Sequence, residues 1–473
     1  MDLLAFKSTL IDLCRINPSK PVLLGFSGGP DSVCLLTLLL ASGVPLIAAH
    51  LDHSLRPNSA LESAQVEEIC AKLGVRCVIK KADVREYALT RRISIEEAAR
   101  EVRYEFLFTT AAAENAQAVL TGHHADDQVE TVLMHLLRGS GLSGLAGMRM
   151  VSLPNPWSEC IPLVRPMLYI GKAEIDRHLQ SVPIQPILDE SNLDAGFFRN
   201  RIRHELLPIL ETYNPQFRER LINTAEVVTL EDDFMLEMTE AAWKTALLER
   251  GSAYLVFDRK AITALSPAIL RRLLRKALKT INASLRDIDF TLIARASNFC
   301  FSPSRTNHID LAAGIEMFYY LKDRLVIALR EDALHELWPQ AAGDEDTPIT
   351  LPGITRLNET WLFHSSVEDN YLKTDDAYIA QFDADKLPGS LLLSRFKPGE
   401  RFSPFGAQSH TLKLGDFWTN QGLPARARGK WPLLRCGNML AWVPGFRIAQ
   451  DLRVSETTEK IIRVILCKAK PPH

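Results

Sequence analysis

The hexapeptide Ser27-Gly28-Gly29-Pro30-Asp31-Ser32 separates an apolar run, Pro21 to Phe26, from a second apolar run, Val33 to Ala41. Adjacent Gly28 and Gly29 let the backbone turn tightly, so that successive N–H groups and the start of a following helix can face an anion. Ser27 and Ser32 add hydroxyl donors, and Asp31 adds a carboxylate suited to Mg2+. The G-x-x-x-x-G-K-[ST] pattern is absent, which argues against a P-loop kinase or GTPase.

A second group lies in LTGHHADDQVETVLMHLLRGSG, Leu120 to Gly141. His123 and Asp127 straddle a strand-to-helix junction, and Asp127 and Glu130 share one helix face near the positive end of its dipole. Such carboxylates can hold a Mg2+ that bridges ATP phosphates, and the imidazole can bind the α-phosphate or move a proton. Asp126 reads as a helix cap, and His124 and Glu130 as a solvated face. Upstream, Ser94 and Glu97 form a capping-box pattern, and Arg100 and Arg103 follow on one helix face within reach of ATP phosphates or a nucleotide backbone.

Short apolar runs alternate with helical stretches from Pro21 to about Asp127, the pattern of a parallel α/β sheet. Strands are expected at 21–26, 44–50, 75–79 and 118–121, with helices at 33–41, 60–73, 95–113 and from about Asp126. Four glycines in Gly139 to Met148 predict a loop that no packed helix occupies. The α/β part closes with Ile161 to Leu168, a helix over Lys172 to Leu179, and the basic run Asp189 to Leu210. Residues 213–337 read as mainly helical. An acidic, Pro-containing linker, Ala341 to Pro348, leads to a β-like segment.

The chain of 473 residues carries 55 Lys and Arg against 57 Asp and Glu, so any RNA contact must come from local patches. Its eight cysteines include no C-x-x-C pair, which fits neither a disulfide framework nor a zinc ribbon. No apolar run nears the roughly 18 residues of a membrane span, and no signal peptide opens the chain, so a soluble cytoplasmic protein is expected. One basic patch lies in Ser266 to Ile281, where Leu270, Leu273, Leu274, Ala277, Leu278 and Ile281 make a buried stripe. The opposite face carries Arg271, Arg272, Arg275, Lys276 and Lys279 with no acid among them, which favours phosphate contact.

SGGPDS resembles the loop of the N-type ATP pyrophosphatases, which split ATP between its α and β phosphates. Joined to ARExRY, to GHHADDQxET with its trailing RGSGLxGLxGM, and to SNLDxxFxRNRIRHELLP, it resembles the tRNA(Ile)-lysidine synthetase family over residues 20–212. The resemblance implies an N-terminal doubly wound parallel sheet of adenine nucleotide alpha-hydrolase type over residues 1–212, a helical tRNA-binding domain over 213–340, and a small C-terminal α+β, β-rich tRNA-binding domain over 341–473. It implies ATP on Ser27, Gly28, Gly29, Pro30, Asp31 and Ser32. Asp31 and Asp127 become Mg2+ ligands or catalytic carboxylates, and His123 and Arg103 contacts to ATP or the adenylate. Arg199, Arg201 and Arg203 lie on an arginine-rich segment placed near the active site.

The likeness continues over Arg395 to Val454, although Gly399-Glu400-Arg401 stands where the family has G-D-R, and Thr411-Leu412-Lys413 where it often has paired lysines. From Arg395 to Arg453 there are 10 Lys and Arg against 3 Asp and Glu. Arg426, Arg428 and Lys430, with Phe402, Phe405, Trp418 and Trp431 interleaved, read as an RNA-facing surface. The implied activity is adenylation of the wobble cytidine of a CAU anticodon, followed by attack of free L-lysine. A homodimer is admitted but not fixed. The rivals are a tRNA thiolase, disfavoured by the lack of paired cysteines, and a binding-only RNA protein, disfavoured by the intact ATP loop.

Overall fold

The computed structural model describes residues 2–55, 59–187, 198–283, 285, 288–302, 307–332, 334–343, 345–406 and 411–469. The chain divides into two compact units, Met1–Phe234 and Met235–His473. No helix among the described residues is long and apolar enough to cross a membrane.

The first unit is built on six strands, β1 (Val22–Gly25), β2 (Leu46–Asp52), β3 (Arg76–Lys81), β4 (Val119–Leu120), β5 (Val151–Ser152) and β6 (Leu163–Val164), in the order β3-β2-β1-β4-β6-β5. All neighbours pair parallel except β5 with β6. Helices cover both faces, so the central strands read as unbroken apolar runs; Val22, Leu23 and Leu24 are all fully buried. The helices are α1 (Leu3–Ser8), α2 (Pro30–Ser42), α3 (Ser59–Lys72), α4 (Val84–Arg91), α5 (Ile95–Ala113), α6 (Ala125–Leu137), α7 (Leu142–Leu145) and α8 (Lys172–Gln180).

Local chemistry sets several of these boundaries. Pro30 opens α2 with a φ already suited to a helix, and Gly43 closes it at φ 77° in the left-handed region. The Ser94 hydroxyl accepts from the Glu97 N–H and starts α5, as its pattern predicts. The glycine-rich stretch departs from the loop expectation, because Leu142–Leu145 forms a single helical turn, α7. It is anchored by Gln128, whose side chain donates to Ala146 O and Met148 O and accepts from Met148 N. After residue 198, α9 (Phe198–Arg201), a π-helical turn (Ile202–Leu206) and α10 (Leu207–Tyr213) lead into α11 (Phe217–Ala246). The SNLDAGF part of the basic run, residues 191–197, lies outside the described residues.

In the second unit the remainder of α11 is followed by α12 (Arg259–Thr263), α13 (Pro267–Ile281) and α14 (Phe290–Phe301). Together with the whole of α11 these make up about half of the stretch expected to be helical. An antiparallel sheet that the periodicity did not reveal lies with them: β7 (Leu247–Arg250), β8 (Tyr254–Asp258), β9 (His308–Asp310), β10 (Ile315–Tyr320) and β11 (Arg324–Leu329), ordered β7-β8-β11-β10-β9. Both faces of β10 are buried, so its apolar run has no period of two to read. Beyond residue 345 the chain forms a five-stranded and a four-stranded antiparallel sheet, with two short helices, α15 (Leu414–Gln421) and α16 (Ala425–Arg428). One core joins Phe318, Tyr320 and Trp338 to Trp418 and Trp431, so residues on both sides of 341 pack together.

Candidate active site

In an open parallel sheet, ligands bind beyond the carboxyl ends of the strands where the strand order reverses, here between β1 and β4. A cavity of about 480 Å3 lies there, lined among others by Ser27, Asp31, His53, Arg103, His123 and Asp127. That volume suits a small organic ligand of nucleotide size. The Ser32 hydroxyl donates to Gly29 O at 2.9 Å, and the Gly29 N–H donates to Ser27 Oγ at 3.3 Å, which folds the loop over the start of α2. Gly28 has φ 78°, and a Cβ on it would meet Ile187 Cδ1 at 2.6 Å. A Cβ on Gly122 would lie 3.1 Å from the Asp31 carbonyl, so a bare glycine after β4 lets the two loops touch.

Two carboxylates converge on one imidazole nitrogen. His124 Nε2 is 3.6 Å from Asp31 Oδ2 and 3.6 Å from Asp127 Oδ2. The backbone N–H of His124 donates to Asp127 Oδ2 at 2.9 Å, while His124 Nδ1 accepts from the Asp126 N–H at 3.3 Å. His124 is therefore the buried N-cap of α6, which corrects both its reading as a solvated side chain and that of Asp126 as the cap. Lys172 Nζ, at the start of α8, donates to Asp31 Oδ1 at 2.7 Å. Burial alone raises the Asp31 carboxyl, but His124 and Lys172 outweigh it and hold it at about 2. Burial lowers His124, and Asp31 and Asp127 more than reverse that, so the imidazole is pushed up.

Glu130 is fully buried, which overturns its placement on a solvated face. Its oxygens accept from Arg199 Nε and Arg203 Nε, both at 2.6 Å, and Arg199 also reaches Asp127 Oδ1 at 2.9 Å. A buried carboxylate without such partners would carry a large desolvation cost. Arg199 and Arg203 thus brace the α6 carboxylates, whereas Arg201 is exposed and pairs with Glu205 at 3.5 Å.

His123 Nδ1 is 2.8 Å from Thr121 Oγ1. Burial, then the charges of Arg165, Arg103, Arg199 and Arg100, hold its imidazole well below the ordinary value. His53, at the end of β2, is lowered to about 4 by burial and then by Arg103. Sequence reasoning missed Lys172, Gly122 and His53. Nothing local marks Lys172, which meets Asp31 across 141 residues; polar residues ending a parallel strand were a signal for His53.

The donor set fits Mg2+. Asp31 and Asp127 are hard oxygen donors that flank the same His124 nitrogen, and they are the residues that would hold the ion; Asp127 is already aimed by a backbone N–H and a guanidinium.

In the second unit, Arg271, Arg275 and Lys279 are exposed along α13, and Leu270, Leu273, Leu274, Ala277 and Leu278 form its buried face. Arg271 lies over the exposed Phe290 ring at 5.2 Å. An acid from α11 does reach this face, as Glu240 pairs with Lys276. In the C-terminal patch Lys430 is exposed, but Arg426 pairs with Glu316 and donates to Arg330 O, and Arg428 donates to Leu423 O. Phe402, Trp418 and Trp431 are buried and only Phe405 is exposed, which corrects the aromatic RNA surface. Their large apolar area gains more from the core than from water. Glu400, where the family has Asp, pairs with Arg435.

Residues 4–210 match the family described as PP-loop domain, and residues 392–465 match the TilS substrate C-terminal domain. The tRNA(Ile)-lysidine synthase of Dehalococcoides mccartyi is 31% identical over 458 residues, covering 95% of this chain and 96% of that protein. The enzyme of the same name from Geobacter sulfurreducens is 30% identical over 453 residues, covering 93% and 91%. That of Clostridium acetobutylicum is 27% identical over 461 residues, covering 95% and 96%. With the ATP loop, the paired carboxylates and this likeness along nearly the whole length, the chain belongs to the tRNA(Ile)-lysidine synthase family of ATP-dependent carbon–nitrogen ligases.

Proposed function

We propose that this chain adenylates the wobble cytidine in the CAU anticodon of a tRNA(Ile) and then joins free L-lysine to it, so that the codon read changes from AUG to AUA. The observation that carries the reading is the convergence of Asp31 and Asp127 beside the Ser27–Ser32 loop, at the mouth of a nucleotide-sized cavity. Loop N–H groups and the start of α2 receive the ATP phosphates. Asp31 and Asp127 would hold Mg2+, which would supply charge neutralisation to the phosphates.

The cytidine O2 attacks the α-phosphorus, the bond to the bridging oxygen breaks, and pyrophosphate leaves. In the tautomer that carries its proton on Nε2, His123 accepts from the Thr121 hydroxyl at Nδ1 and offers the Nε2–H as a hydrogen-bond donor to an α-phosphate oxygen, with Arg103 lining the same cavity. The lysine ε-amine, neutral after losing a proton, then attacks C2, and AMP leaves with the bonding pair of the C2–O bond. Residues 1–212 form the catalytic region, and 213–340 and 341–473 contribute RNA contacts, with Arg271, Arg275, Lys279 and Lys430 as exposed cations for phosphate. Arg199 and Arg203 act on RNA indirectly, by fixing Asp127 and Glu130.

The test supplies labelled lysine, ATP and total bacterial tRNA. Label in RNA with stoichiometric AMP is expected. Absence of label, with ATP still cleaved to AMP and pyrophosphate, would leave an adenylating enzyme with a different second substrate.

A further inference from the structure

Three arginines, Arg100, Arg103 and Arg165, gather around the buried Tyr104, and one of them, Arg103, lines the cavity. Arg100 Cζ lies 5.0 Å and Arg103 Cζ 5.2 Å from the centroid of that ring. Trp157 stacks on Tyr104 at 4.1 Å, and Arg100 also lies 5.9 Å from the Trp157 ring. Arg165 is only 6% exposed, and its guanidinium donates to neutral acceptors, Arg149 O at 2.8 Å and Ser152 Oγ at 3.2 Å. Its Nε is buried without an acceptor.

Among the described residues no carboxylate pairs with any of the three. Arg165 is buried, and buried arginine is normally paired, while Arg100 and Arg103 are exposed beside it; three guanidiniums so close repel one another, and an anion would relieve that repulsion. His123 is depressed first by burial and then by the same positive field, to which Arg165, Arg103 and Arg100 all contribute.

We propose that Arg100, backed by Arg165 and lying against the rings of Tyr104 and Trp157, receives a backbone phosphate of the RNA beside the base being adenylated. This rests on the function proposed above and names a contact within it. An ATP phosphate is the other source of the same chemistry, and the geometry disfavours it. ATP phosphates already have the Ser27–Ser32 loop, the start of α2 and Lys172. Arg100 and Arg103 are both exposed, but Arg103 lines the cavity, whereas Arg100, one helical turn earlier, does not. A cytidine that pushes its base toward the α-phosphate carries its own phosphates to that rim. A guanidinium already fixed on aromatic rings loses little further freedom when its fork closes on two phosphate oxygens.

The experiment measures binding by the full-length protein, with two ligands kept separate: an anticodon stem-loop RNA without ATP across a salt series, and a non-hydrolysable ATP analogue without RNA. Arg100→Gln, an exposed site whose loss leaves the core intact, is expected to weaken RNA binding about tenfold and lower the salt slope by about one. Affinity for the analogue stays unchanged, and Arg100→Lys keeps the slope while recovering part of the affinity. Unchanged RNA affinity and slope overturn the proposal, and so does a loss of analogue binding with the slope intact, which assigns the cluster to ATP. Because neither measurement needs turnover, failure of the wild-type protein to incorporate lysine would sink the proposed reaction and leave this result readable.

Discussion

Single residues set the charge state of the cavity. Asp31→Asn and Asp127→Asn are each expected to abolish pyrophosphate release with cognate tRNA while the circular dichroism spectrum stays native; normal release from either variant would remove that carboxylate from the mechanism. Glu130→Gln is a different kind of change, because it leaves Arg199 and Arg203 facing a buried amide. With both guanidiniums about one-third exposed, the expected loss is about 2–3 kcal/mol, seen as a thermal midpoint lower by roughly 4–10 °C. His53 gives a pH dependence. Its folded pKa of about 4 lies below the unfolded value of 6.5, so the unfolded chain binds more protons between those limits. Stability from this group is complete above 6.5 and is lost as pH falls toward 4. His53→Gln should flatten that part of a denaturation-midpoint profile, and an unaltered profile would show that other groups produce the slope.

At the scale of elements, the site depends on two βα loops meeting edge to edge. Gly122→Ala would drive a methyl group against the Asp31 backbone, which unlike a flexible side-chain tip cannot step aside. A loss of about 1–3 kcal/mol is expected, together with weaker ATP binding, since the loop must shift; a variant with wild-type ATP affinity would mean that the close approach is incidental. Helix α13 makes the complementary case on the RNA side. Replacing Arg271, Arg275 and Lys279 by Gln leaves the Leu270–Leu278 face in place, so folding should be nearly unaffected. The salt slope of tRNA binding should fall by roughly two to three units, about one for each phosphate no longer neutralised. Unchanged slope would make this face merely solvated.

For the molecule as a whole, the shared packing of Trp338 and Phe318 with Trp418 and Trp431 governs what truncation can test. Removing everything after Gln340 strips one side from that core. We expect aggregation or a loosely packed product that binds hydrophobic dye, and not a clean loss of RNA affinity. A soluble truncated protein with a sharp thermal transition and intact ATP binding would show that residues 341–473 fold apart. Substituting exposed Lys430, Lys413 and Arg447 by Gln tests the C-terminal patch without opening the core.

Much of the first unit was legible in sequence because its signals are local. Apolar runs of strand length, Pro30 and Gly43 at the ends of α2, and Ser94 before α5 each report on neighbours within a few residues. The SGGPDS loop and the His123-to-Asp127 segment likewise lie within one βα junction apiece, so these residues could be singled out before their geometry, although it is His124 and not His123 that bonds Asp127. What tertiary structure alone decided was every property that depends on a distant partner. Lys172 reaches Asp31 over 141 residues, and Glu130 is buried because Arg199 and Arg203 arrive from 69 and 73 residues away. Arg426 is consumed by Glu316, and Trp418 and Trp431 turn inward, although composition alone made them look like surface. The type of a side chain fixes what it can bond to, but burial and the choice among competing partners are set by which segments the fold brings against it.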